Sequence, residues 1–266
     1  MWFITMTKEE QFEYIKNNYP ATAGIHSKRL TRRRFFSKIE TEIQAYLLGL
    51  YASDGNITEK RKTFRISLQQ KDAYAVDWFK KFISPDARTF LNQRKIKIVR
   101  NCNITNSVYY GIDINCSDLC NDLVNLGFGY RKTYADTHLP NIPPELMRHF
   151  IRGYFDGDGT IMGCYIKPDP KWKKNENFRT KMSICCKKRS ILDDIKEYLK
   201  NLGIKSTINY SRRDDMYEIS SPKSQIKKLF HLLYDDAHFY LQRKYDKFEH
   251  YANTEITQLI AENRKA

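Results

Sequence analysis

Leu47-Leu48-Gly49-Leu50-Tyr51-Ala52-Ser53-Asp54-Gly55 and, 104 positions on, Ile151-Arg152-Gly153-Tyr154-Phe155-Asp156-Gly157-Asp158-Gly159 are two copies of one pattern, an apolar helical run ending in Asp-Gly. Gly49 and Ser53, like Gly153 and Gly157, stand four apart. Each helix therefore carries a stripe of small residues against which a second helix can pack closely. Each run also ends in a carboxylate, Asp54 or Asp158, at the negative end of the helix macrodipole, where an anion is disfavoured by about 0.3–1 kcal/mol. If the two helices pack together, the carboxylates also repel each other. Groups so placed are usually held by something positive, and a divalent metal with oxygen ligands is the candidate. A single Asp-Gly reads as a helix stop. The second copy, with the same glycine spacing, makes the pattern more than punctuation.

The repeat sets the domain organisation. In the first copy Thr41-x-x-Gln44 is a capping box that starts the motif helix, and in the second Pro143-Pro144-Glu145 supplies a proline start with an early negative charge. An alternating strand follows each helix. Phe64, Ile66 and Leu68 alternate with Arg65, Ser67 and Gln69; Phe178, Thr180, Met182 and Ile184 alternate with Arg179, Lys181, Ser183 and Cys185. Further strands are predicted at Lys95 to Arg100, Val108 to Ile114, Ile204 to Tyr210 and Met216 to Ser220. Amphipathic helices are predicted at Ala73 to Ile83, Ser117 to Leu126, Ser190 to Leu202 and Ser224 to Tyr234. Each half reads helix, strand pair, helix, strand pair, helix. The expected fold class is therefore α+β with two pseudo-symmetric αββαββα domains, at residues 39–140 and 141–250, between a basic extension at 1–38 and a tail at 251–266 that reads as a terminal helix.

Helices would cover the apolar face of each sheet. The other face, with Arg65, Ser67, Gln69, Lys95, Lys97, Arg179, Lys181, Ser183, Asn209, Ser211 and Arg213, would be free for a polyanion. The chain has 46 Lys plus Arg against 31 Asp plus Glu, a formal charge of +15, which suits nucleic acid. A sheet ribbon fits the major groove, where Arg, Lys, Asn and Gln discriminate base edges. Aligning Leu68 with Ile184 makes the loop after the second motif helix 12 residues longer than the first. It includes Lys167-Pro168-Asp169-Pro170-Lys171-Trp172-Lys173-Lys174, an expected exposed extension for phosphate contact. The run Lys28-Arg29-Leu30-Thr31-Arg32-Arg33-Arg34 is a second candidate for phosphate contact. No apolar run approaches the roughly 18 residues of a membrane span, and the opening Met1-Trp2-Phe3-Ile4 lacks the build of a signal peptide, so an intracellular setting, cytoplasm or organelle matrix, is expected. The six cysteines show no Cys-x-x-Cys and no zinc-site partnering with His. An EF-hand starting at Asp156 fails because its sixth position is Ile161 rather than Gly.

The double motif resembles that of the single-chain LAGLIDADG homing endonucleases, and the resemblance runs from about Phe35 to Phe248. It implies domains packed through the two motif helices and saddle-shaped antiparallel sheets facing DNA. It implies Mg²⁺-dependent cleavage across the minor groove with short 3′ overhangs, with Ca²⁺ or Mn²⁺ able to substitute in binding or cleavage. Asp54 and Asp158 would be the metal ligands. Lys132 in Gly129-Tyr130-Arg131-Lys132-Thr133 and Lys244 in Leu241-Gln242-Arg243-Lys244-Tyr245 would be the basic residues that approach the centre, with Arg131 and Arg243 as alternates. Gln70 and Lys187 would organise water. Two motifs in one chain imply a monomer acting on an asymmetric double-stranded DNA site. The first motif departs from the family pattern at Ala52 and Ser53, whereas the second keeps Asp156 and Gly157; the earlier Asp is not a metal ligand in the family. Two other readings of the same fold remain, an RNA-binding intron maturase and a non-cleaving DNA-binding regulator.

Overall fold

The Thr41 hydroxyl accepts the Gln44 backbone N–H while Gln44 Oε1 accepts that of Thr41, so the predicted capping box starts the first motif helix as read. The Gln44 amide also donates to the carbonyls of Phe35 and Lys38, tying the preceding segment to the cap. A computed structural model describes residues 6–24, 27–97, 104–168, 171 and 175–264. In chain order its elements are α1 (Lys8–Asn18), β1 (Thr22–Gly24), β2 (Ser27–Thr31), α2 (Glu42–Asp54), β3 (Asn56–Thr58), β4 (Thr63–Gln69), α3 (Ala73–Ile83), β5 (Thr89–Lys97), β6 (Ile104–Asn115) and α4 (Ser117–Asn125). There follow α5 (Pro144–Asp158), β7 (Gly159–Ile166), β8 (Asn177–Cys186), α6 (Ser190–Asn201), β9 (Thr207–Ser211), β10 (Met216–Pro222), α7 (Lys223–Tyr234), α8 (Gln242–Asn253) and α9 (Ile256–Asn263).

The elements form two compact units, Met1–Lys132 with Pro140–Tyr154, and Thr133–Leu139 with Phe155–Ala266. Each holds a four-stranded antiparallel sheet, in the order β3-β4-β6-β5 in the first and β7-β8-β10-β9 in the second. The expected αββαββα order thus occurs twice, as α2 to α4 and as α5 to α7; α8 and α9 extend the second unit. Alternation is obeyed on β4, where Phe64, Ile66 and Leu68 are buried while Arg65 and Gln69 are exposed.

Four readings require correction. The strand predicted from Lys95 begins at Thr89. Its ladder pairs Phe90 with Gly111 and Asn92 with Tyr109, which continues the row of Arg65, Ser67 and Gln69. Lys95 and Lys97 therefore fall in the other register row, with Leu91 and Ile112, and their side chains lie outside the described residues. Ser183 keeps its place in the row of Arg179 and Lys181, but it is fully buried. Asn56 pairs with Arg65, nine positions on, and Thr160 with Ser183, 23 positions on, so the second hairpin is longer by 14 residues rather than 12. Much of the extra length is strand, because β7 spans eight residues against three for β3. Beyond it Lys167, Pro168 and Lys171 are exposed, whereas Asp169, Pro170 and residues 172–174 lie outside the described residues.

The second half of the basic run before the first motif is tied into the fold. Arg32 is buried and donates to the carbonyls of Lys81 and Phe82 at the end of α3, where its charge also offsets the helix dipole. Arg33 pairs with Asp118 at 2.8 Å and Arg34 with Asp122 at 2.9 Å, both on α4. Lys28, Arg29 and Leu30 stay exposed, as does much of Arg34 outside its ion pair. Burial pushes the Asp122 carboxyl up to about 6, partly opposed by Arg34, and its Oδ2 has no hydrogen-bond partner. A carboxyl whose folded pKa is raised costs stability as pH rises from about 4 to about 6, because the unfolded chain releases the proton first. Asp122→Asn is therefore expected to raise stability at pH 7 by about 1 kcal/mol after screening, with no gain at pH 4, as read by urea midpoints at the two pH values.

Candidate active site at the ends of the motif helices

Two glycines of the small-residue stripes, Gly49 and Gly153, lie at close helix contacts. A Cβ on Gly49 would stand 2.0 Å from the Phe150 carbonyl oxygen, and one on Gly153 would stand 2.1 Å from that of Tyr46. Helix α2 and the first part of α5, both in the first unit, thus approach backbone to backbone, and neither position has room for a methyl group. At their N-terminal side the same pair encloses charge. Arg152 donates to Glu42 at 2.6 Å and meets His149 Nδ1 at 2.7 Å, and Gln11 from α1 donates to the second Glu42 oxygen at 3.2 Å. All four side chains are fully buried. The repeat gave no hint of this cluster, because the positions equivalent to Glu42 and Arg152 in the other copies are Leu146 and Leu48.

At the other end each helix stops with its carboxylate in solvent. Asp54 is exposed, with Oδ2 accepting the Ser53 hydroxyl at 3.2 Å, and Asp158 is exposed in the second unit. The glycines after them are not left-handed caps: Gly55 has φ −82° and ψ 162°. They are needed because a ring folds over them. A Cβ on Gly55 would lie 2.1 Å from the Tyr51 ring, and one on Gly159 would lie 2.1 Å from the Phe155 ring.

The lysines arrive against the same rings. In the first unit Lys132 Nζ sits 5.8 Å from the Tyr51 ring centroid and donates to the carbonyls of Ala52 at 2.6 Å and Ser53 at 2.9 Å. In the second, Lys244 Nζ sits 5.4 Å from the Phe155 centroid and donates to the Gly159 carbonyl. Lys132 thus holds the negative end of its motif helix, where carbonyls lack partners and the dipole favours a cation, and Lys244 sits on the carbonyl of the residue just past the other.

The segments that bring the lysines are fastened to the motif helices by different side chains. Tyr51 donates to the Phe128 carbonyl at 3.2 Å in the first unit. In the second, buried Asp156 accepts the Tyr234 hydroxyl at 3.0 Å and the Leu241 N–H at 2.7 Å. Asp156 is thus a structural anchor, which explains why Ala52 can stand in its place when Tyr51 supplies the tie.

Gln70 and Lys187 occupy matching places, each the first residue after the second strand of its sheet. Gln70 is exposed, and Lys187 pairs with Asp215. On the sheet faces, Arg179, Asn209 and Arg213 are exposed and Ser67 is half-buried. Ser211 exchanges hydrogen bonds with Asp214 in the turn that holds Arg213. Two acids were missed. Asp113 pairs with Arg65, and Glu218 pairs with Lys181 at 2.9 Å. The alternation Ile112-Asp113-Ile114 and Tyr217-Glu218-Ile219 was the signal that places both on the polar face.

Among the described residues no group of three or more His, Cys, Asp or Glu side chains is placed to hold a metal. The donors on offer are single exposed carboxylates of hard oxygen. These suit Mg²⁺, which keeps several waters and takes one or two carboxylates together with substrate phosphate oxygens. The five described cysteines are free, and no described helix is long and apolar enough to cross a membrane.

Residues 145–233 match the family model of the LAGLIDADG-like domain. No curated protein matches the chain. Three of the solved structures with a similar fold are these. The LAGLIDADG meganuclease I-AabMI bound to uncleaved DNA is 14% identical, with a TM-score of 0.52 over 83% of this chain and 91% of that one. A point mutant of I-SmaMI is 12% identical, with a TM-score of 0.53 over 83% and 92%. The homing endonuclease I-WcaI bound to its DNA recognition sequence is 15% identical, with a TM-score of 0.50 over 87% and 97%.

Proposed function

We propose, from the premise that the chain carries a LAGLIDADG-like domain and has the two-domain fold of the LAGLIDADG homing endonucleases, that it is a site-specific, Mg²⁺-dependent double-strand DNA endonuclease. On this reading it acts as a monomer on an asymmetric site and leaves short 3′ overhangs, as the resemblance implies. DNA is also what the names of the similar I-AabMI and I-WcaI structures carry. The observation that carries the proposal is the repeated end of the motif helix: an exposed Asp, a glycine under an aromatic ring, and a lysine held at the adjacent carbonyls. A structural cap or a binding surface has no use for two such copies.

In this mechanism Asp54 and Asp158 are the carboxylates that hold the metal, one contributed by each repeat for the two strands of a duplex. Bound Mg²⁺ lowers the pKa of water and stabilises negative charge on phosphate oxygens. Lys132 and Lys244 offset the helix-end dipoles beside the carboxylates and place positive charge where the phosphate gains negative charge. Gln70 and Lys187 order water at the adjoining strand ends. The sheet faces, through Arg65, Ser67, Gln69, Arg179, Lys181, Asn209, Ser211 and Arg213, select the sequence.

Lys132→Met and Lys244→Met are each expected to slow cleavage by about 10- to 1,000-fold while lowering stability by only about 1 kcal/mol. Single-turnover cleavage and urea melts of the same preparations check this. The function itself is tested by incubating the chain with a pool of duplexes randomised over their core, selecting bound molecules in Ca²⁺ and cut molecules in Mg²⁺. One asymmetric sequence recovered from both arms is the expected result. Binding without cutting, together with rescue of intron splicing, would replace the endonuclease with the maturase.

A further inference from the structure

On the polar face of the first sheet Arg65 is held by two neighbours. Its Nε donates to Asp113 Oδ1 at 2.6 Å and its Nη2 to Oδ2 at 2.5 Å, across the direct β4–β6 pair Arg65↔Asp113. Its guanidinium carbon lies 5.3 Å from the centroid of Phe90, which stands on β5 in the same register row. A guanidinium has two edges able to form paired hydrogen bonds. Asp113 takes the side edge, Nε with Nη2. The end edge, Nη1 with the second hydrogen of Nη2, keeps its donors, and the arginine remains half exposed.

We infer that Asp113 and Phe90 position Arg65 to read one guanine through its end edge, which makes Asp113 a specificity-determining residue of the first sheet. The inference rests on the endonuclease reading and adds the base to it. Two parallel donors match the O6 and N7 acceptors on the major-groove edge of guanine and no other base. A free arginine on a sheet binds phosphates of any sequence, and fixing its side edge to a carboxylate removes that freedom. The cation held by a carboxylate on the second sheet is of another kind: Lys181 meets both oxygens of Glu218 at 2.9 Å. An ammonium has no second planar edge, so that position contributes less selectivity.

The test uses the full chain and a randomised duplex pool bound in Ca²⁺, comparing wild type with Asp113→Ala, Arg65→Ala and Arg65→Lys. Wild type is expected to require guanine at one position, and Arg65→Ala and Arg65→Lys to lose that preference by about tenfold or more at that position alone. Asp113→Ala is expected to relax the same position while keeping, or raising, overall affinity, with a steeper salt dependence because one negative charge has left the surface. Unchanged preference at every position in Asp113→Ala would overturn the inference while leaving the endonuclease standing. Absence of any selected sequence with the wild-type protein would overturn both.

Discussion

Asp54→Asn or Asp158→Asn is expected to abolish double-strand cleavage, with a loss of roughly a thousandfold or more, while folding and DNA binding persist. The size follows from the several kcal/mol of charge stabilisation that a bound divalent ion supplies, each 1.36 kcal/mol being tenfold in rate. Persistence of the fold follows from the position of the carboxylates. Both are exposed at helix C-termini, where a negative charge is a small liability, and an Asn of the same size keeps an accepting oxygen there, so the fold stays in place. Folding is checked by denaturant midpoint, binding by titration with the selected duplex in Ca²⁺, and cleavage by single-turnover assay in Mg²⁺. A variant that keeps cutting would remove that Asp from the active site. Asp156→Asn should behave in the opposite way and lose stability, because its buried oxygens hold the Tyr234 hydroxyl and the Leu241 N–H.

Arg152→Leu is expected to destabilise the protein by about 3–5 kcal/mol, because it takes away the guanidinium that holds the fully buried Glu42 carboxylate at 2.6 Å. That is a large part of the roughly 5–15 kcal/mol typical of a folded domain. Adding Glu42→Leu is expected to recover most of the loss. The repeat already carries Leu48 and Leu146 at the equivalent positions, and a buried ion pair replaced by apolar side chains is often neutral in stability. Gln11 keeps partners in the double variant, since it also donates to the Met6 carbonyl and accepts the Ile43 N–H. Denaturant midpoints of the two single variants and the double one give the coupling directly. A double variant as unstable as Arg152→Leu would mean that the pair does more than neutralise itself.

Much of this architecture was written in local signals. The capping box at Thr41, the proline at Pro144 and the alternation of Phe64, Ile66 and Leu68 each act through neighbours within a few residues, so sequence alone placed α2, α5 and β4. The short β3 escaped because three residues show no alternation, and β7 because Gly163 and Cys164 interrupt its apolar pattern. The error at Lys95 and Lys97 arose because the part of β5 that fixes the row, Phe90 and Asn92 opposite Gly111 and Tyr109, was not read as strand, and the lysines alone do not say which of two rows they occupy.

The proposed site was legible to the extent that its segments repeat. Asp54, Asp158, Lys132 and Lys244 stand in duplicated segments, and the structure brings each lysine to its motif helix. What does not repeat was hidden. Glu42 and Arg152 lie 110 residues apart with no periodic signal, and Arg32 to Arg34 read as a phosphate arm because charge alone does not reveal that Lys81, Phe82, Asp118 and Asp122 wait for them.

The central claim is that the chain cuts both strands of a specific duplex with metal held by Asp54 and Asp158. Its most direct test is to map, base by base, the ends produced from the selected duplex in Mg²⁺. One discrete break is expected in each strand, offset to leave a short 3′ overhang, that disappears with EDTA and in both Asp→Asn variants. Tight, specific binding with both strands intact in Mg²⁺ and in Mn²⁺ would contradict it.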